Sequence, residues 1–235
     1  MTYRQQTLNA HIAGRLEIKL LSLQPSSAQL EETKLQVSGL LDLENTGSDL
    51  QGTVSNFDTR LLENWSVPIP EGLQAQSPQT TFALRGSLQN PSIEVDTEID
   101  GRYQDRRFTL TIDAEGSRTS ARFSQAHLAS GDSEVRAKGL LDWTGDTTNL
   151  QVNMENLTQD LLQLAPETVT EAVPEELRFD ASGALQVSGP LRKPQVNVQG
   201  LVTGDYAGAA ETLPYRLTLD GGVDLLTIHC LQRLR

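Results

Sequence analysis

The chain has 235 residues, with 31 Asp and Glu against 19 Lys and Arg and a net charge of −12. That balance argues against nucleic acid, whose phosphates require a basic surface, and against simple electrostatic docking onto anionic headgroups. Hydrophobic residues are 37% of the chain, and no stretch supplies the roughly 20 apolar residues of a transmembrane helix, so composition points to neither a helical membrane span nor a disordered polymer. Residues 1–10 lack the apolar run of a secretory leader. A lone Cys230 makes neither an internal disulfide nor a thiolate metal site, and His11, His127 and His229 share no ligand spacing.

In chain order the pattern is β. Gly14–Leu20 reads as the tail of a repeat unit occupying residues 1–30. Strands are expected near 35–43, 50–55, 80–88, 93–99 and 106–113, with a shorter one near 119–124. Ile93–Ile99, Phe108–Ile112 and Tyr215–Leu219 alternate apolar and polar residues, which puts one set on a buried face and the other in water. The clusters Glu44–Asp49 and Thr144–Asn149 sit where hairpins turn. In Asp58–Trp65 an Asp in capping position precedes Leu61, Leu62 and Trp65, the pattern of a short amphipathic helix. Its counterpart is Thr158–Leu164, stopped before Pro166.

The second half repeats the first. Leu35–Leu43 matches Val135–Trp143 about 100 residues on, with Gly-Leu-Leu-Asp identical at 39–42 and 139–142. Phe82–Pro91 then matches Leu185–Pro194, and Phe108–Asp113 matches Tyr215–Asp220. The expected organisation is therefore a first repeat over 31–130 and a second over 131–235, expected to be cut short at its end, each a meander of about six strands that would gain its core by stacking on its neighbours.

The pattern Leu-x-Gly-x-Leu-x-x-Pro-x-Ile/Val-x-Val occurs at Leu84–Val95 and, opening with Val, at Val187–Val198. Each is followed by an expected turn, Asp100–Tyr103 or Gly204–Tyr206, and by a strand ending in Asp113 or Asp220. Across roughly residues 14–229 this resembles the repeats of the TamB proteins within the AsmA-like group. The resemblance implies an all-β fold: a long antiparallel-type sheet curved lengthwise into a U-shaped, apolar-lined trough (a β-taco), with one short helix per repeat. It implies work in the periplasm of a Gram-negative bacterium, anchored in the inner membrane, moving phospholipid between membranes or assisting assembly of outer-membrane proteins and autotransporters. A TamA-type outer-membrane barrel is the implied partner of the full-length protein. Both the membrane anchor and the region that would meet that barrel are expected to lie outside this chain.

The residues expected to line the trough are Leu35, Val37 and Leu41; Phe82, Leu84 and Leu88; Ile93, Val95 and Ile99; Phe108, Leu110 and Ile112; then Val196, Val198, Leu217 and Leu219. Phospholipid acyl chains are the natural occupants of such a surface, and about fourteen strands at roughly 4.8 Å give a conduit segment of roughly 65 Å. The bland alternative for the same residues is the core of an ordinary sandwich or barrel. A functional alternative is a structural or adhesive β-solenoid without a lipid ligand, disfavoured by the 100-residue unit with its uneven loops.

No catalytic, metal or cofactor constellation emerges. Gly131-Asp-Ser133 reads as a turn, Glu31–Glu32 and Glu175–Glu176 as solvated loop charges, and Glu94, Asp96 and Glu98 as a solvated sheet face without a calcium loop. Thr203–Gly208 fits no phosphate-binding loop. Trp65 and Trp143 fall on apolar positions of the repeat and are expected to pack, and Cys230 is expected to be an ordinary strand residue.

Overall fold

A computed structural model of the chain describes residues 2–3, 6–44, 47–61, 69–158, 161, 177–207, 212–222 and 227–230. These form one antiparallel sheet of sixteen strands. Residues 1–130 contribute β1 (Thr2–Tyr3), β2 (Gln6–His11), β3 (Gly14–Glu17), β4 (Leu20–Leu30), β5 (Thr33–Asp42), β6 (Ser48–Asp58), β7 (Leu73–Ser87), β8 (Asn90–Tyr103), β9 (Arg106–Gly116) and β10 (Ser120–Ser130). Residues from 131 onward contribute β11 (Ser133–Asp142), β12 (Thr147–Thr158), β13 (Leu177–Gly189), β14 (Gln195–Ala207), β15 (Thr212–Gly222) and β16 (Thr227–Cys230). Strands pair in sequence order, except that β2 and β3 lie end to end along β4. Among the described residues β1 pairs only with β2 and β16 only with β15, so the sheet is open.

A strand keeps one face apolar only while its alternation stays in phase with its neighbours. In several strands the sequence alternation slips, and an irregularity absorbs the slip. Between Leu23 and Ser26 of β4, and between Phe123 and Ala126 of β10, the register shifts by one residue. Similar shifts separate Gln76 from Thr80 in β7 and Met154 from Leu157 in β12. Each bulge returns the next apolar residue to the face shared with its neighbours. The buried hydroxyls this leaves near the β7 bulge satisfy one another: Ser77 lies 3.1 Å from both Thr80 and Thr97, which are 2.6 Å apart.

Several expectations are corrected by these shifts. The strand placed near 119–124 is eleven residues long, because alternation resumes in the other phase beyond Ser124. β7 begins at Leu73, well before residue 80. Asp100–Tyr103 and Gly204–Tyr206 belong to strands β8 and β14, not to turns, Tyr103 being the last residue of β8. The β8–β9 reversal instead falls at Gln104 and Asp105, both left-handed with φ of 45° and 69°, as a two-residue hairpin requires. Gly101 is tolerated within the strand because the Phe108 ring lies over it, where a Cβ would collide. Of the two expected helices, Asp58 and Thr158 instead end strands β6 and β12 and Thr59 is a turn residue; Arg60, Leu61 and Leu161 are helical, and residues 62–65, 159–160 and 162–164 lie outside the described residues. Trp143 does not pack inside: it sits in a turn, 50% exposed. Trp65 is outside the described residues.

The two halves share their local devices. Gly39 and Gly139 take φ of 125° and 139°, and a Cβ on either would collide with a carbonyl oxygen of the next strand, Asp49 or Asn149. Asn56 and Asn156 are left-handed, with φ of 54° and 50°. Their carbonyls accept from the Thr33 hydroxyl at 2.7 Å and the Ser133 hydroxyl at 2.6 Å. Asp42 and Asp142 fold their hairpins alike, each carboxylate accepting turn amides: Glu44 and Gly47 in one, Thr144 and Gly145 in the other.

Gly39→Ala or Gly139→Ala is expected to cost about 2 kcal/mol or more, since backbone strain and collision add. A thermal melt of each variant checks it; an unchanged midpoint would refute the close approach.

Candidate functional site

The most distinctive surface is the apolar face of the sheet. Directly paired residues of antiparallel strands share a face, so the register can be followed from strand to strand. One row runs Val37, Gly52, Phe82, Val95, Ala114, Phe123, Gly139, Leu150, Val187 and Val196, ten strands without a polar side chain. Another row, two steps away on the same face, pairs Ile99 with Leu110, then Leu128, Val135 and Met154. A third carries Leu35 through Val54, Thr80, Thr97 and Ile112 and on to Val152, Leu185 and Val198.

Glycines and aromatics interlock on this face. Phe82 lies over Gly52 and Phe108 over Gly101, while the register sets Phe123 opposite Gly139 and Phe179 opposite Gly204. Four of the five phenylalanines thus face a glycine. The missing Cβ leaves room for the ring to lie flat across the pleat, so a single sheet closes part of its own apolar surface.

That closure is partial. Leu61 and Leu161, 7% and 5% exposed, are the only hydrophobic residues fully buried among the described residues. Every substantial contact between strands is between ladder neighbours. The face is therefore half-covered by its own side chains, and the ordinary sandwich core is not what the described strands build.

Of the residues expected to line a trough, the register places Leu35, Val37, Leu41, Phe82, Leu84, Ile93, Val95, Ile99, Phe108, Leu110, Ile112, Val196 and Val198 on this one face. Leu217 and Leu219 pair with Val202 and Gly200, extending the same rows at the level of the backbone. Leu88 is off the rows, exposed in the β7–β8 turn. Sequence reasoning missed Phe123, Leu128, Val135, Leu150, Val152, Leu185 and Val187. Alternation within Leu150–Met154 and Leu185–Val187 carried the signal, whereas Phe123 and Leu128 lie on opposite sides of a bulge.

The opposite face is polar. Glu94 lies opposite Glu115, and Asp96 opposite Asp113, like charges that weaken a ladder unless relieved. Arg85 binds Glu94, and the Ser92 hydroxyl donates to Glu115 at 2.9 Å. This face carries open hollows of about 790 and 700 Å3, the first lined by Asp58, Arg60, Asp100, Arg102 and Arg107, the second by the paired carboxylates. A twisted sheet is saddle-shaped, so concavity on one face follows from twist alone. Among the described residues no three His, Cys, Asp or Glu side chains are grouped to hold a metal ion. Ser133 is buried as a strut: its hydroxyl donates to the Asn156 carbonyl and accepts from the Thr158 amide at 3.2 Å. Cys230 pairs with Leu217 in the ladder.

Comparison of the chain with models of known protein families, with curated proteins and with solved structures found no match. The resemblance to TamB proteins rests on the order and recurrence of motifs within this sequence.

One carboxylate at a rim of the sheet is electrostatically distinctive. Asp58 accepts from the Arg60 amide at 2.8 Å and grips its guanidinium at 2.6 to 3.0 Å. The side-chain hydrogen bond to Arg60 is the largest influence and holds the carboxyl below its ordinary range, against a smaller opposing effect of burial. A depressed carboxylate stabilises the fold above its unfolded pKa, and that contribution disappears as pH falls through the lowered value. An NMR titration is expected to find Asp58 protonating at lower pH than an isolated aspartate, with Arg60→Gln returning it to the ordinary range.

Proposed function

We propose that the apolar face shelters the acyl chains of phospholipid, within a TamB-like envelope protein whose sheet curves lengthwise into a trough. The observation that carries this reading is the ten-strand apolar row lying half-exposed, with no second layer among the described residues. Uncovered apolar surface of more than a few hundred Å2 marks a ligand or partner site. The rows run across the strands, and strands are spaced about 4.8 Å apart. An acyl chain of about 15 Å, half the hydrocarbon thickness of a bilayer, therefore covers roughly three spacings along one row. Each methylene removed from water contributes about 0.8 kcal/mol, so a chain of ordinary length is held without polar contacts. In this reading the protein works in the periplasm, passing lipid between membranes or sheltering nascent outer-membrane strands, with a TamA-type barrel as partner of the full-length protein.

Native mass spectrometry of the chain purified without detergent is expected to show co-purifying phospholipid. Leu110→Asp, in the middle of the face between Ile99 and Leu128, is expected to reduce that lipid at least roughly tenfold, because a charge there must be desolvated by the acyl chain. A lipid-free mass from folded wild-type protein would sink the proposal and favour the structural, ligand-free reading.

A further inference from the structure

In an antiparallel meander all turns that follow odd-numbered strands from β3 onward gather at one rim of the sheet, and the turns that follow even-numbered strands gather at the other. The two rims differ in chemistry. On the first rim, Ile18 in the β3–β4 turn, Leu43 after β5, Leu88 after β7 and Trp143 after β11 are exposed by 96, 47, 40 and 50%. Arg118, Arg192 and Lys193 occupy turns of the same rim, as do Lys19, paired with Glu44, and, among the described residues, one further acid, Asp146, which leaves these turns with an excess of basic side chains. Among the described residues the turns of the other rim expose no large hydrophobic side chain, and Leu8, opposite Leu30 at the end of β4, is exposed beside them. Its turns carry Glu31, Glu32, Glu71, Asp105 and Asp132, with Arg60 held by Asp58.

Turn tips ordinarily carry Gly, Asn, Asp or Ser, and the turns after β5 and β11 already have what they need from Asp42 and Asp142. Leu43 and Trp143 are therefore not required for the reversal. They occupy equivalent places in the two repeats, and each is pinned by the same backbone bond to the preceding turn of its rim. The Leu43 amide donates to the Lys19 carbonyl at 2.8 Å, and the Trp143 amide to the Thr119 carbonyl at 3.0 Å. The rim is also linked along its length: Arg118 donates to the Gln89 carbonyl, Trp143 Nε1 to the Arg118 carbonyl, and the Leu191 amide to Asp146. Turns on one rim recur every second strand, about 10 Å apart, so the apolar tips form a line of separate wedges instead of a continuous patch.

We propose that this rim is an edge that docks onto the surface of an anionic phospholipid bilayer. Separate wedges of Trp and aliphatic side chains fit between headgroups, where Trp is favoured, and neighbouring Lys and Arg meet the phosphates. The net charge of −12 argues against a membrane for the molecule as a whole, but the charge is segregated: an anionic surface repels the acidic rim and admits the other, which orients the sheet. This edge is distinct from the apolar face, and the proposal does not depend on that face taking lipid.

The test is sedimentation of the chain with vesicles of phosphatidylcholine alone and of phosphatidylcholine mixed with phosphatidylglycerol. In a Trp65→Phe background, Trp143 emission is read in parallel. Stronger binding to the anionic vesicles, a blue shift of Trp143 and weakening by salt are expected. Arg192→Glu with Lys193→Glu is expected to weaken anionic binding about 30-fold or more, at about 1 kcal/mol per basic residue. Leu43→Ser with Trp143→Ser is expected to weaken binding to both vesicles, while Glu31→Gln with Glu32→Gln does not weaken it. Each variant is checked for retained strand signal by circular dichroism. Equal binding to both vesicles, no binding, or loss through the acidic-rim variant instead of the basic one would overturn the proposal. Leu110→Asp separates the two surfaces: if it removes co-purified lipid and leaves vesicle binding intact, both stand. If wild type carries no lipid yet docks through this rim, only the face reading fails.

Discussion

The phase of the apolar alternation, carried unbroken from one strand to the next, is the constraint on which the rest of this structure depends. A ladder offers two faces, and a slip of one residue exchanges them. Along β4, β7, β10 and β12 the sequence does slip, and a bulge in each restores the phase. Without the β10 bulge, with Phe123 kept inward, Leu128 and Ala126 would meet water while Gln125 and His127 faced inward, and the two rows that cross β10 at Ala126 and Leu128 would be interrupted there. The bulges are thus conditions for the continuous face.

A single sheet has no second layer to complete its core, so it must find closure within itself. Rings lying over glycines do part of this, and hydroxyl clusters such as Ser77, Thr80 and Thr97 satisfy polar groups where a bulge would otherwise leave them unpaired. What remains uncovered is apolar on one side and charged on the other. Acidic residues on the polar face keep a long sheet in solution and discourage pairing between sheets. Charge is also unequal between the two rims, so the molecule has four chemically different borders: an apolar face, an acidic face, an acidic rim and an apolar, basic rim.

Much of this was legible in the residues. Strict alternation in Ile93–Ile99 and Phe108–Ile112 located β8 and β9, and the recurrence of Gly-Leu-Leu-Asp revealed that two stretches fold alike, down to the strained Gly39 and Gly139. Thirteen of the expected lining residues share one face by register. Where reading failed, it failed for identifiable reasons. β10 looked short because its alternation changes phase at the bulge, and Asp100–Tyr103 looked like a turn because the ring that covers Gly101 comes from the next strand. Leu88 looked like a lining residue because nothing local separates the last residue of a strand from the first of its turn.

The sequence by itself determined that the chain is β, that it repeats, and which residues alternate, because these are properties of neighbours along the chain. Only the tertiary structure decided that the apolar sets of successive strands merge into one face, since that depends on bulges whose effect appears only when two strands are laid in register. The rims were likewise invisible in one dimension. Ile18, Leu43, Leu88 and Trp143 are far apart in sequence, and the meander places their turns along one edge. The −12 charge, read as a sum, spoke against anionic surfaces; read in three dimensions, it is a distribution, and one edge of the sheet escapes it.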